Sequence, residues 1–190
     1  QEAVEQAERM MSFIHQEGQE ASEQLAEARG CFPNWDKSVF SGNGTPRKQR
    51  NATITTIAPT GTISIIGGAS SGCEPLFAVA FTRNVLDGTK LTDVSPLFEQ
   101  VAQDRGFYSP ELIQEVADKG SVADVQEVPD DVKRLFVTAH DVSPEWHVRI
   151  QAAFQENTDN AVSKTVNFPQ DATVDDVAEV YWLAYERRCK

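Results

Sequence analysis

Apolar residues recur at alternating steps of three and four along the first stretch of the chain: Val4, Ala7, Met11, Ile14, Gly18, Ala21, Leu25 and Ala28. That period puts them on one stripe of a helix over residues 1–29, with Glu2, Glu5, Glu8, Glu17, Glu20 and Glu23 largely off it. Small residues dominate the stripe, so it predicts packing against a larger body rather than a coiled coil. Gly18 interrupts it at a cost of about 1 kcal/mol relative to alanine, and Gly30 is placed to cap the end. The periodicity then stops. Residues 31–49 read as a loop, with Phe32 and Trp35 expected to pin it to the core. The basic run Arg47-Lys48-Gln49-Arg50 has two readings, a solvated loop or a steering patch for a nucleotide.

From Ala52 to Ile57 nearly every residue is β-branched, which predicts a buried strand. Ala58-Pro59 ends it, because proline donates no ladder hydrogen bond. Thr60, Gly61, Thr62 and Ser64 then form a turn of small and hydroxylated residues, in which Gly61 allows a close backbone approach. Such a turn is a phosphate cradle if a helix starts there, or simply a capping turn.

Residues 65–72 read as a glycine-rich connection, residues 76–81 as a second buried segment, and Asp87-Gly88 as a turn. Ser95-Pro96, Ser109-Pro110 and Ser143-Pro144 each predict a helix start, with serine capping and proline in the first turn. A shorter helix is expected from Asp130 to Ala139. In the helix from Pro144, Trp146, Ile150, Ala153 and Phe154 share one face. Ala161 to Phe168 predicts the second clear strand, stopped by Pro169. Thr173 with Asp176 resembles a capping box for a last helix, whose core face is Val174, Val177, Tyr181 and Ala184. Strands alternating with helices place the chain in the α/β class.

Composition narrows the function. At 190 residues and 40% hydrophobic, the chain has enough for one core, and no apolar run reaches the length of a membrane span. A net charge of -12 opposes binding to a nucleic-acid backbone. Three widely separated cysteines, Cys31, Cys73 and Cys189, argue against a disulfide framework and for a reducing cytoplasm. No Cys-x-x-Cys pair occurs, and His15, His140 and His147 lack zinc-ligand spacing, so no metal site is expected. The chain begins at Gln1, as expected of a piece of something longer.

Residues 50–64, Arg-Asn-Ala-Thr-Ile-Thr-Thr-Ile-Ala-Pro-Thr-Gly-Thr-Ile-Ser, followed by Ser70-Ser71-Gly72-Cys73-Glu74-Pro75, resemble the adenosylcobalamin-dependent (class II) ribonucleotide reductases. Ser143-Pro144-Glu145-Trp146-His147 and the stretch Thr158 to Asn167 match the same family, and the resemblance runs from about Leu25 onward. It implies a helix-rich part of a ten-stranded α/β barrel. The expected layout is one segment over 1–190, with a long amphipathic helix over 1–30 and barrel strands and helices over 50–190.

By resemblance, Pro59, Thr60, Gly61, Thr62 and Ile63 hold the substrate's phosphates. The family's radical cysteine sits in an Asn-Pro-Cys-Gly-Glu loop; Gly72-Cys73-Glu74 departs from that order, so Cys73 is read as a small side chain near the active site. Glu74-Pro75 is expected to order the loop around the substrate, and no catalytic role carries over to Asn160, Ser163 or Lys164.

The resemblance thus implies part of a ribonucleoside-diphosphate reductase that makes deoxyribonucleotides for DNA synthesis, inactive as a fragment. Adenosylcobalamin belongs to the intact enzyme and is not expected to bind this fragment alone. The expected partners are a ribonucleotide substrate, the rest of the reductase chain and a second copy, with Val4, Met11, Ile14 and Leu25 as the contact. Two alternatives stand beside it: a catalytically silent nucleotide-binding or assembly module, and a segment of a class I large subunit.

Overall fold

A computed structural model describes residues 1–42, 45–84 and 90–190. Their contacts form two compact units: Gln1–Thr60 with Glu145–Lys164 and Thr173–Lys190, and Gly61–Pro144 with Thr165–Ala172.

The first unit is built on α1 (Glu2–Arg29), which ends where the Gly30 N–H bonds the Ala26 carbonyl. Its buried face begins as the apolar period predicts, with Ala7 and Met11, and then passes to Gln19, Ser22 and Ala26. Ile14 and Leu25, expected inside, are exposed. The reason is polar: the Ser22 hydroxyl accepts the N–H groups of Arg50 and Asn51, and hydropathy does not register such a seam. Gly18 is explained by the same contact. A Cβ there would lie 2.9 Å from Cγ2 of Ile54, a stiff β-branched side chain.

Below α1, a single 3-10 turn (Trp35–Lys37) holds the 31–49 loop, and the Trp35 indole N–H donates to the Arg47 carbonyl at 2.8 Å. Phe32 meets Phe40 edge-on at 6.2 Å, so these contacts of the two aromatics fasten the loop to itself, where the sequence predicted an anchor to the core. The unit is completed by α6 (Pro144–Gln155) and α7 (Val174–Glu186). In α6 the buried residues are His147, Val148, Ala153 and Gln155, while Trp146 lies exposed with the Arg149 guanidinium 5.0 Å above its ring. The capping box on α7 forms as the sequence predicts: the Thr173 hydroxyl accepts the Asp176 N–H, and the Asp176 carboxylate accepts the Thr173 N–H at 2.7 Å. The expected core face does not form. Val174 and Tyr181 are exposed, and the half-buried positions are Val180, Leu183 and Ala184, a face rotated from the one expected.

The second unit opens with α2 (Gly61–Gly67), so part of the predicted glycine-rich connection is helical. It continues through the antiparallel pair β1 (Ala80–Asn84) and β2 (Lys90–Val94), in register Ala80 to Val94 and Thr82 to Thr92. The Asp87-Gly88 turn lies outside the described residues. Next come α3 (Pro96–Asp104), α4 (Pro110–Lys119) and the short α5 (Asp130–Lys133). Ser109 caps α4 through the Leu112 N–H at 3.0 Å, and Gly120 closes it in the left-handed conformation. Ser95 makes no side-chain cap; its N–H bonds the Val79 carbonyl and extends the β pairing into the helix start.

The core of this unit joins Val79, Phe98 and Val116 to Val122, Val125, Val128 and Val132. Most of those valines lie in an irregular stretch between helices, so no periodicity announced them. The helix expected to reach Ala139 ends at Lys133. Beyond it Thr138 is drawn into a parallel bridge with Leu76, and the Ala139 N–H bonds the Leu76 carbonyl at 2.8 Å.

Candidate functional site

Residues 53–57 are extended, but they form an isolated parallel bridge, Ile57 to Val162, rather than the regular strand expected over 52–57. A parallel ladder needs partners supplied by distant chain. Here one side is taken by residues 160–163: Asn160 N–H to the Thr55 carbonyl at 3.1 Å and Ser163 N–H to the Ile57 carbonyl at 2.8 Å. On the other side of 158–162 a buried side chain stands where a strand would. The Gln155 amide donates to the carbonyls of Thr158 and Asn160 and accepts the Val162 N–H.

The junction is fastened by Asp159. Its Oδ2 accepts the N–H groups of Ile54 at 2.7 Å and Thr55 at 3.2 Å, while the Thr55 hydroxyl accepts the Asp159 N–H at 3.0 Å. This reciprocal clamp joins residues more than a hundred positions apart, and no local spacing revealed it. The matched motif Thr158-Asp159-Asn160 was the only signal.

That anchored segment leads to Pro59 and Thr60, and Gly61-Thr62-Ile63 follow at the start of the second unit. Thr60 has φ 54, in the left-handed region. A β-branched residue there costs about 1–3 kcal/mol, and such conformations concentrate where function over-determines the backbone. α2 begins at Gly61, the condition under which the sequence reading made the turn a cradle. A Cβ built on Gly61 meets nothing within 4 Å, and Gly61, Thr62 and Ile63 are exposed. The Ser64 hydroxyl donates back to the Gly61 carbonyl at 3.0 Å, so it stiffens the turn rather than facing outward.

The other singled-out residues fall into place separately. His147 is 1% exposed and its Nδ1 lies 2.7 Å from Lys164 Nζ. Sequence reasoning assigned this pair no role, although both residues lie in motifs matched to the family. The Glu74 carboxylate accepts the Thr165 N–H at 3.0 Å, which ties its loop to that residue. Arg47 is bound to Glu23 and Arg50 to the Cys31 carbonyl, so the basic run is largely structural. Among the described residues the three cysteines form no disulfide and are half-buried, and burial pushes the Cys189 thiol above its usual range. Among the described residues no cluster of His, Cys, Asp or Glu could hold a metal ion.

The model of the ribonucleotide reductase barrel domain matches residues 47–190. A vitamin B12-dependent ribonucleoside-diphosphate reductase of Thermoplasma acidophilum is 50% identical over 189 residues, covering 100% of this chain and 24% of that protein. The protein of the same description from Mycobacterium tuberculosis H37Rv is 48% identical over 190 residues, covering 100% of this chain and 26% of its own length. Among solved structures, the class Id ribonucleotide reductase alpha subunit of Actinobacillus ureae superposes with a TM-score of 0.76 over 97% of this chain and 32% of that one. At 24% identity that likeness speaks for the fold alone. The chain therefore spans about a quarter of the length of the B12-dependent relatives it matches.

Proposed function

The chain belongs to the ribonucleotide reductase family, and from that premise we propose that it is the part of a B12-dependent ribonucleoside-diphosphate reductase barrel that binds the substrate's phosphates. The turn Pro59-Thr60-Gly61-Thr62-Ile63 is the binding element. The observation that carries this reading is the strained Thr60 beside the open backbone of Gly61, held on a segment clamped by Asp159. The Gly61 backbone leaves room for phosphate oxygens to approach the main chain, and the hydroxyl of Thr62 adds a donor.

The cofactor named by the relatives fits neither of two clefts formed by the described residues. The clefts lined by Phe77 and by Trp146, about 460 and 400 Å³, suit drug-sized molecules and not a corrinoid with its nucleotide arms. No metal-binding cluster occurs among the described residues, and His147 Nδ1 is occupied by Lys164. Adenosylcobalamin is assigned to the intact enzyme, and this segment contributes substrate binding and orientation.

Titration of the chain with a ribonucleoside diphosphate tests the reading. Backbone amide resonances of residues 60–63 are expected to shift saturably, while adenosylcobalamin and a dithiol give no deoxynucleotide. Shifts confined to other residues, or deoxynucleotide formation, would overturn it.

Self-association is proposed on a surface that differs from the predicted stripe. Met11 is buried, whereas Met10, Phe13, Ile14 and Leu25 form an exposed apolar row on α1. Sedimentation is expected to show a dimer or larger species that Phe13→Glu dissociates; a monomer at all concentrations would remove the proposal.

A further inference from the structure

We propose that the cleft walled by Phe77 and His140 in the second unit binds a guanidinium group, stacked on Phe77 and held by the carboxylates of Asp124 and Asp141. The parallel bridge of Leu76 with Thr138 fixes the two walls, because it sets Phe77 beside the chain that continues to His140. Their rings meet edge-on at 5.7 Å, yet Phe77 remains 72% exposed. The third wall follows Gly120, whose left-handed turn ends α4 and whose carbonyl accepts the Val79 N–H. The enclosed space is about 460 Å³, within the range of small-ligand sites and far larger than a metal ion requires.

The polar groups of this cleft are mostly acceptors with unused capacity. Asp141 takes three hydrogen bonds, from the Ser121 hydroxyl, the Thr138 N–H and the Thr138 hydroxyl, all on Oδ2. Among the described residues nothing donates to Oδ1. Burial pushes this carboxyl up, but the bonds from Thr138 and Ser121 outweigh it and hold the group below the usual carboxylate range. The carboxylate is therefore rigid and ionised at neutral pH. The Asp124 carboxylate likewise receives no hydrogen bond from a described residue. The cation at the rim, Lys119, is already bound to Glu115 at 2.7 Å and to the Asp124 carbonyl at 2.9 Å.

Two exposed carboxylates with oxygens open to a donor repel phosphates and carboxylic acids, and an exposed ring face attracts a planar cation. A guanidinium meets both demands, since its flat face stacks while its edge donates to carboxylate oxygens. It is carried by small molecules and by arginine side chains of proteins, and the chemistry of the cleft is common to both.

Calorimetric titration of the chain with agmatine tests the assignment, with putrescine as a dication lacking the plane. Saturable agmatine binding is expected, at least about fivefold tighter than putrescine. Phe77→Ala and Asp124→Asn, which remove no internal side-chain hydrogen bond, are each expected to weaken it roughly three- to tenfold. An acetylated arginine tripeptide separates the sources: tighter binding of the peptide assigns a protein side chain, and tighter binding of agmatine a small molecule. Absence of saturable binding by both, equal binding of putrescine, or indifference to both substitutions would overturn the proposal.

Discussion

Asp159→Ala is expected to lower the unfolding free energy by about 3 kcal/mol, taking the loss of hydrogen bonds to a charged acceptor at about 1.5–3 kcal/mol for the group. Two backbone donors, Ile54 and Thr55, lose their acceptor at 2.7 and 3.2 Å, and Thr55 lies buried where water does not replace it. At about 2–4 °C per kcal/mol for a chain of this size, the thermal midpoint falls by roughly 6–12 °C. Asp159→Asn keeps an oxygen in place and loses only the charge assistance, so its cost is about 1 kcal/mol. The same variants loosen the segment that delivers Thr60, and diphosphate affinity falls in parallel with stability. Thermal melts of the three proteins decide the matter. An alanine variant within about 0.5 kcal/mol of the parent would show that the clamp is not what holds residues 53–57 to 158–163.

Gly61→Val is expected to weaken substrate binding at least tenfold, more than the roughly 1–1.5 kcal/mol of one lost hydrogen bond. The structure makes this a clean experiment. A side chain at position 61 points into open space, with no protein atom within 4 Å of its Cβ, and the backbone there is not in the left-handed region. The fold accepts the valine while the approach to the main chain closes. Dissociation constants for a ribonucleoside diphosphate, measured on the chain and on the full reductase that contains it, give the answer. Equal affinity for parent and variant would remove the turn from the site.

Much of this molecule was legible before any coordinates. α1, the proline-initiated starts of α3, α4 and α6, the Thr173–Asp176 box and the glycine ends of α1 and α4 rest on capping, propensity and period, which act over one or two turns. The matched motifs pointed to the family to which the chain belongs, and by resemblance to a candidate phosphate turn.

What only the tertiary structure decided is how those pieces find partners. Residues 53–57 have strand-forming side chains, yet they pair only through an isolated bridge because parallel pairing depends on distant chain. The buried face of α1 turns on Ser22 and Gln19, which hydropathy scores as solvent-facing. The valines from Val122 to Val132 enter the core from an irregular backbone, where neither a period of 3.6 nor of 2 applies. The Asp159 clamp, the His147–Lys164 pair and the cleft beside Phe77 each join residues remote in sequence. Local rules determine that a helix starts, stops and has two faces. Which face is covered, and which carboxylate meets which backbone, is settled by long-range contacts whose free energies do not appear in any short stretch of sequence.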